Sequence, residues 1–229
     1  MCTSIVSNGN KTIVGWNLDI LNMEYKVVTE DKRVYIAIND ATEGWMPLFG
    51  ANSRGDFVAM PTCWPFDARS NPASADCPHI ILLDIDLLLG KRTLQEIREI
   101  AERGKVCSVP GVTFQSQLSD KGGNVLQIVP GQGMRYLERP PFSVMTNFSP
   151  CKGNAEQHPW MGLDRYLIAT EMLEQGYRDL DMQGCFEILK RTAQTACPTV
   201  VTMVFDVAEN TVYWCERMQW DEISQYKMT

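Results

Sequence analysis

Residues 2–19 read CTSIVSNGNKTIVGWNLD. Two runs rich in apolar and β-branched residues, Cys2–Ser7 and Thr12–Asn17, flank Asn8-Gly9-Asn10-Lys11. An Asn-Gly pair tolerates the positive φ of a tight turn, so the stretch predicts an antiparallel hairpin. Such a hairpin returns Asp19 towards Cys2. Loss of Met1 would leave a thiol and a free α-amine on one residue. An unperturbed α-amine titrates at roughly 7.7–8.0, near enough to neutral to take the proton of its own side chain. A carboxylate beside that amine would orient it and set its protonation. The plainer readings stay open here: Cys2 as the small first residue of a buried strand, and Asp19 as a strand end at the surface.

Outward from this hairpin, the chain reads as more of the same. Arg33–Ile38 alternates, and Asp56–Met60 follows a turn-like Asn52-Ser53-Arg54-Gly55. Val112–Leu118 and Asn124–Val129 flank Ser119-Asp120-Lys121-Gly122-Gly123; Phe142–Asn147 follows; Thr199–Val207 and Thr211–Glu216 form the closing hairpin. Helices are predicted from the apolar run Asp84–Leu89, from a capping box at Thr93 and Glu96 that opens a helix to Gly104, and over Met161–Gln175 and Asp181–Gln194. Residues 62–78, rich in Pro, Ser, Asn and Asp, read as a long loop, and loops of that length are commonly functional. Strands, helices, strands, helices, strands, without a run of βαβ crossovers, indicate an α+β layered architecture.

Composition narrows the function. The 229 residues suit one domain spanning 1–229, and 45% hydrophobic with 21% charged residues is ordinary for a globular chain. A net charge of −7 with no basic run argues against nucleic acid and anionic membranes as partners. The most apolar stretch, Ile80–Leu89, is interrupted by Asp84 and Asp86 and is too short to span a bilayer. No signal-peptide pattern is read at the start. Eight scattered cysteines without a C-x-x-C pair are therefore expected as reduced thiols in a cytoplasmic protein. His79 and His158 each adjoin a proline and lie at no ligand spacing, so neither a metal site nor a cofactor is expected.

Several segments together resemble one family. MCTSIVSNG and GWNLDI at the start, ANSRGDFVAM (51–60), SVMTNFSP (143–150), MGLDRYLIA (161–169) and PTVVTMVFDVAENTVYW (198–214) are similar, in this order, to the choloylglycine hydrolase and penicillin V acylase group. These are linear amide hydrolases of the N-terminal nucleophile superfamily. The resemblance implies a four-layer αββα sandwich of two antiparallel sheets covered by helices. It implies Cys2 as nucleophile after removal of Met1, Asp19 as partner of its amine, Asn147 as a side-chain oxyanion donor and Arg165 as an electrostatic support. A second oxyanion donor would be the backbone N–H of Thr62 or Cys63. By residue alone, Asn147 reads equally as a turn residue and Arg165 as a solvated helix position.

The implied partner is a small N-acyl amide; a homo-oligomer is compatible with the sequence. Trp16, Trp64 and Phe66, with Trp45 and Trp160, are candidates to line an apolar substrate pocket. Trp16 also departs from the pattern, since amidase relatives commonly carry an arginine there, and an indole ring cannot stabilise a thiolate or a substrate carboxylate by charge. An acyltransferase of the same fold, or a binding protein that retains it, are the alternative readings.

Overall fold

The computed structural model describes residues 2–64, 76–104, 106–109, 111–151 and 161–229. One antiparallel sheet has six strands: β1 (Cys2–Asn8), β2 (Thr12–Asp19), β10 (Phe142–Met145), β11 (Thr199–Asp206), β12 (Thr211–Glu216) and β13 (Ser224–Lys227). Their order is β10-β1-β2-β11-β12-β13. The other has seven: β3 (Tyr25–Glu30), β4 (Arg33–Asp40), β5 (Gly44–Asn52), β6 (Phe57–Ala59), β7 (Ser116–Ser119), β8 (Val125–Val129) and β9 (Gly133–Leu137). These lie in sequence order. Four helices complete the fold: α1 (Ile80–Leu88), α2 (Leu94–Glu102), α3 (Leu163–Gly176) and α4 (Met182–Arg191).

The period of two along β1 and β2 sorts their side chains between layers. Cys2 and Val6 on β1, with Val14, Trp16 and Leu18 on β2, join Val34, Ile36, Phe49, Ala51 and Phe57 of the other sheet in one buried cluster. The alternate residues Ile5 and Ile13 pack instead with Leu173 of α3 and Ile188 and Leu189 of α4. On the far side of the seven-stranded sheet, Val58, Leu118 and Leu126 meet Leu83 and Leu87 of α1 and Ile97 of α2. Two sheets face each other and a helix pair covers each outer face: the layers are α, β, β, α. Polar side chains also tie the sheets. Gln117 Nε2 donates to Ser4 Oγ (2.9 Å), while Ser143 Oγ and Gln127 Nε2 both donate to Gln117 Oε1 (2.8 and 2.9 Å).

The capping box forms as read, with Thr93 accepting from the Glu96 N–H and Glu96 accepting from the Thr93 N–H. Differences from the sequence reading have local causes. β5 contains Pro47, which has no N–H to donate, and the β4–β5 ladder shifts register between Ile36 and Ala37 beside it. β9 and β13 are edge strands with mostly exposed or half-buried side chains, so their sequences show little alternation. α1 begins at Ile80, four residues ahead of the expected Asp84, after His79 as N-cap. The expectation of eight reduced thiols is corrected: Cys77 and Cys107 form a disulfide. A backbone bridge causes the meeting, with Cys107 N–H donating to Pro78 O (3.0 Å) and Ile80 N–H to Cys107 O (2.9 Å). Thirty residues separate the pair, so no local signal announces it.

Candidate active site

The β1–β2 register pairs Cys2 with Leu18, which sets Asp19 one residue past the nucleophile candidate. Cys2 is 4% exposed. Burial pushes its thiol up to about 11; the Asp19 carboxylate adds to the rise, while a backbone hydrogen bond from Asp19 and the Arg165 charge oppose it. At neutral pH the side chain is therefore a neutral thiol. Its backbone nitrogen lies 2.9 Å from Asn147 Oδ1.

Asp19 is wholly buried. Thr199 Oγ1 donates to its Oδ1 (2.7 Å) and Gln194 Nε2 donates to Oδ2, while Arg165 Nη1 stands 3.9 Å from Oδ2. Burial still dominates and raises the carboxyl to about 6, against the Thr199 hydrogen bond and the Arg165 charge. Thr199 and Gln194 also bond to each other: Gln194 N–H donates to Thr199 Oγ1 (2.9 Å) and Thr199 N–H to Gln194 O (3.0 Å). They form a clamp that sequence reasoning missed, and nothing short of the fold brings the segment after α4 to the end of β2.

Arg165 sits in the first turn of α3, where the helix dipole disfavours a cation, and yet it is only 3% exposed. It is held by acceptors. Nη1 donates to Cys2 O and to Thr3 Oγ1 (2.9 Å), and Nη2 donates to Asn147 Oδ1 (2.8 Å). The guanidinium folds back over Gly162, whose φ is 88°; a Cβ there would lie 2.4 Å from Nη2. Gly162 is thus required twice, for its left-handed backbone and for its missing side chain. The helix therefore starts at Leu163, not at the expected Met161.

Two donors on Oδ1 fix the orientation of the Asn147 amide. Its Nδ2 then points to Thr62, donating to the carbonyl (2.7 Å) and the hydroxyl (3.0 Å). Thr62 bridges Phe114, and the flanking bonds run from Cys63 N–H to Thr113 O (2.7 Å) and from Gln115 N–H to Pro61 O (2.9 Å). In that pattern Thr62 turns both its N–H and its C=O away from Phe114, towards Asn147. Of the two candidate backbone donors, the Cys63 N–H is spent on this ladder. The Thr62 N–H makes no hydrogen bond among the described residues. Fold and sequence thus bring Cys2, Asp19, Asn147, Arg165 and Thr62 together at one end of β1 and β2.

The aromatic candidates separate. Trp16 is fully buried and stacks on Phe49 with ring centroids 4.5 Å apart, in the inter-sheet core on the Cys2 face. Trp64 is half-buried, and its backbone N–H donates to Asn147 O (2.7 Å). Trp45 is 44% exposed under the Lys26 ammonium. Phe66, Trp160, His158 and Met1 lie outside the described residues. None of the described aromatic candidates, and none of Cys2, Asp19, Thr62, Asn147 and Arg165, lines the apolar cavity whose walls share the Cys2 cluster. That cavity, of about 600 Å³, is walled by Ile38, Met46, Leu48, Met60, Ile85 and Phe114. Ile38, Leu48 and Met60 belong to the same buried cluster as Cys2, and Phe114 is the bridge partner of Thr62. Aliphatic and methionine side chains from separate parts of the chain make it, a combination no short motif announces. Among the described residues no group of three or more His, Cys, Asp or Glu side chains could hold a metal. No helix of these residues is long and apolar enough to cross a membrane.

Comparison with solved structures matches this architecture. The chain shares the fold of the N-terminal nucleophile hydrolases. A mutant of the conjugated bile acid hydrolase from Clostridium perfringens superposes with a TM-score of 0.69 at 13% identity, over 100% of this chain and 92% of the other. Penicillin V acylase from Agrobacterium tumefaciens gives 0.68 at 14% identity, over 99% and 86%. The Caenorhabditis elegans ortholog of N-acylethanolamine-hydrolyzing acid amidase gives 0.58 at 20% identity, over the whole of both chains. No protein-family model matches the sequence, and no curated protein is similar to it at a significant level. The resemblance read in short segments is therefore carried by the tertiary structure.

Proposed function

We propose that the protein hydrolyses a carbon–nitrogen bond of a linear N-acyl amide, with Cys2 as an N-terminal nucleophile. The observation that carries this reading is the hold on the Cys2 nitrogen. It lies 2.9 Å from Asn147 Oδ1, and the Cys2 carbonyl accepts from Arg165. Cutting the peptide bond before Cys2 leaves an α-amine at a position already fixed, beside its own protonated thiol.

In this mechanism the amine takes the thiol proton as sulfur attacks the amide carbonyl. Negative charge moves to the carbonyl oxygen. The Thr62 N–H and one Nδ2 hydrogen of Asn147 receive it, the substrate oxygen replacing the Thr62 hydroxyl as acceptor. The resulting ammonium protonates the leaving amine as the C–N bond breaks, which gives an acyl-thioester on Cys2. Water then attacks the thioester with the α-amine as base, releasing the carboxylic acid and restoring the thiol. Asp19 and Arg165 touch no reacting bond; they position the amine and the Cys2 backbone. The apolar cavity takes one half of the substrate.

The test compares protein with and without a residue before Cys2, assigned by intact mass. Limiting iodoacetamide and peptide mapping should label Cys2 ahead of Cys63 and Cys151 only in the cleaved form, and amide hydrolysis should appear only there. Equal hydrolysis by the uncleaved form, or labelling of Cys63 or Cys151 first, would sink the proposal.

A further inference from the structure

The apolar cavity carries charge of one sign at its rim. Asp40, the last residue of β4, and Glu43, in the turn to β5, line it together with His79, and no Lys or Arg among the described residues does. Asp40 Oδ1 accepts from the N–H groups of Thr42 (2.8 Å) and Glu43 (3.0 Å), and these bonds hold its carboxyl below the usual range. Its Oδ2 and the Glu43 carboxylate have no hydrogen-bond partner among the described residues. Lys26, on neighbouring β3, is stacked over the Trp45 ring at 4.3 Å and is not part of the lining. On the Cys2 face of β1 and β2, the neighbouring positions are Ser4, Trp16 and Leu18, all uncharged.

From this we infer that the cavity selects a ligand whose apolar chain ends in a cation, an alkylammonium group seated between Asp40 and Glu43. The reading rests on the proposed amidase for its substrate form: a linear N-acyl amide with an ammonium several methylenes from the scissile bond. The wall buries the methylenes, and the two carboxylates attract the ammonium and repel a carboxylate or sulfonate in its place. The cation belongs either to the amine half, as in an acylated diamine, or to the acyl half, as in an ω-amino acyl amide. Chain length is bounded by the cavity, about 600 Å³.

Binding is measured first by calorimetry with n-octylamine, 1-octanol and octanoate, which share one chain and differ in charge. Octylammonium should bind about tenfold more tightly than octanol, the effect of two partly exposed carboxylates on one cation, and octanoate should bind most weakly. In the Asp40→Asn/Glu43→Gln double variant the preference should vanish while octanol binding stays. The Asp40→Asn change keeps a side-chain oxygen to close the turn, so the fold is retained. Octanoate binding as tightly as octylammonium, or a preference unchanged in the double variant, overturns the inference.

Cleavage is then compared for N-octanoyl-1,4-diaminobutane, the butylamide of 8-aminooctanoic acid and N-octanoylglycine. A higher kcat/KM for the first or second identifies the half that carries the cation. N-Octanoylglycine as the best of the three overturns the inference while leaving an amidase. Tight, Asp40- and Glu43-dependent octylammonium binding with no cleavage of any amide removes the amidase instead.

Discussion

At Asp19, burial works against hydrogen bonding. The carboxyl accepts from Thr199 and Gln194 and faces Arg165, and its titration still moves up from 3.8 to about 6. A raised folded value means that the fold favours the protonated form. This stabilisation is full below about pH 4 and disappears as the pH climbs through about 6, a difference of about 3 kcal/mol. Asp19→Asn, which cannot ionise, should therefore match the wild type most closely at pH 7 relative to the larger deficit it shows at pH 4. Urea melts at the two pH values check this, and parallel stability–pH profiles would remove Asp19 as the titrating group. Asn147 links several partners across the site. Its Oδ1 accepts from Cys2 and Arg165, and its Nδ2 donates to Thr62. Asn147→Ala should lower kcat by about 10²–10³, with a smaller change in KM, because in the proposed reaction the lost donor meets charge that develops in the transition state. It also orphans an arginine donor, at a cost of about 1–3 kcal/mol, so a melt must show the variant folded. Normal kcat in a folded variant would take Asn147 out of the reaction.

Helix α1 shows how an element hides a charge inside an apolar run. Asp84 and Asp86 both interrupt the sequence IILLDIDLL, yet helical spacing sends them to opposite environments. Asp86 is half-exposed and pairs with Arg92 at 3.0 Å. Asp84 shares the buried face of Ile80, Leu87 and Leu88, where Ser116 Oγ of β7 donates to Oδ2 at 2.6 Å and Oδ1 has no partner. Burial raises the Asp84 carboxyl well above 3.8, against that one hydrogen bond. The stabilisation belongs to the protonated acid: it is complete below about pH 4 and is lost as the pH rises through the raised value. Asp84→Asn should gain stability relative to wild type as the pH increases, leaving kcat unaltered. Thermal melts across an acid-to-alkaline series measure it, and a constant difference would mean that Asp84 does not titrate in that range. The same helix pattern allowed the run to be read as helical from sequence. It could not show which aspartate faces β7, because that depends on how α1 lies across the sheet.

Over the whole molecule, the Cys77–Cys107 disulfide joins two segments 30 residues apart on either side of α1 and α2. Closing a loop of that length contributes about 3–4 kcal/mol in the chain-entropy account. Protein denatured without reductant should titrate six thiols, rising to eight after reduction, and the reduced form should unfold at lower denaturant by about that amount. Eight thiols without reductant would refute the bridge. Cys2 and Asp19 were legible because one hairpin, marked by adjacent turn residues, brings them together; Gly9 is not at the positive φ expected of it, and its missing side chain instead admits the Tyr177 and Arg178 carbonyls, 2.3 Å from where a Cβ would lie. The strand–helix order likewise determined an α+β layered chain, whereas the burial of β1 and β2 on both faces follows from the helices stacked outside their sheet. Asn147 and Arg165 could be named only through resemblance; their meeting with Cys2 depends on β10 and α3 packing against β1. The Thr199–Gln194 clamp, the disulfide, the missed edge strands and the methionine-lined cavity were decided by tertiary structure alone. Each is made by segments far apart in the chain, whose contacts follow from how sheets and helices stack and not from any local preference of their residues.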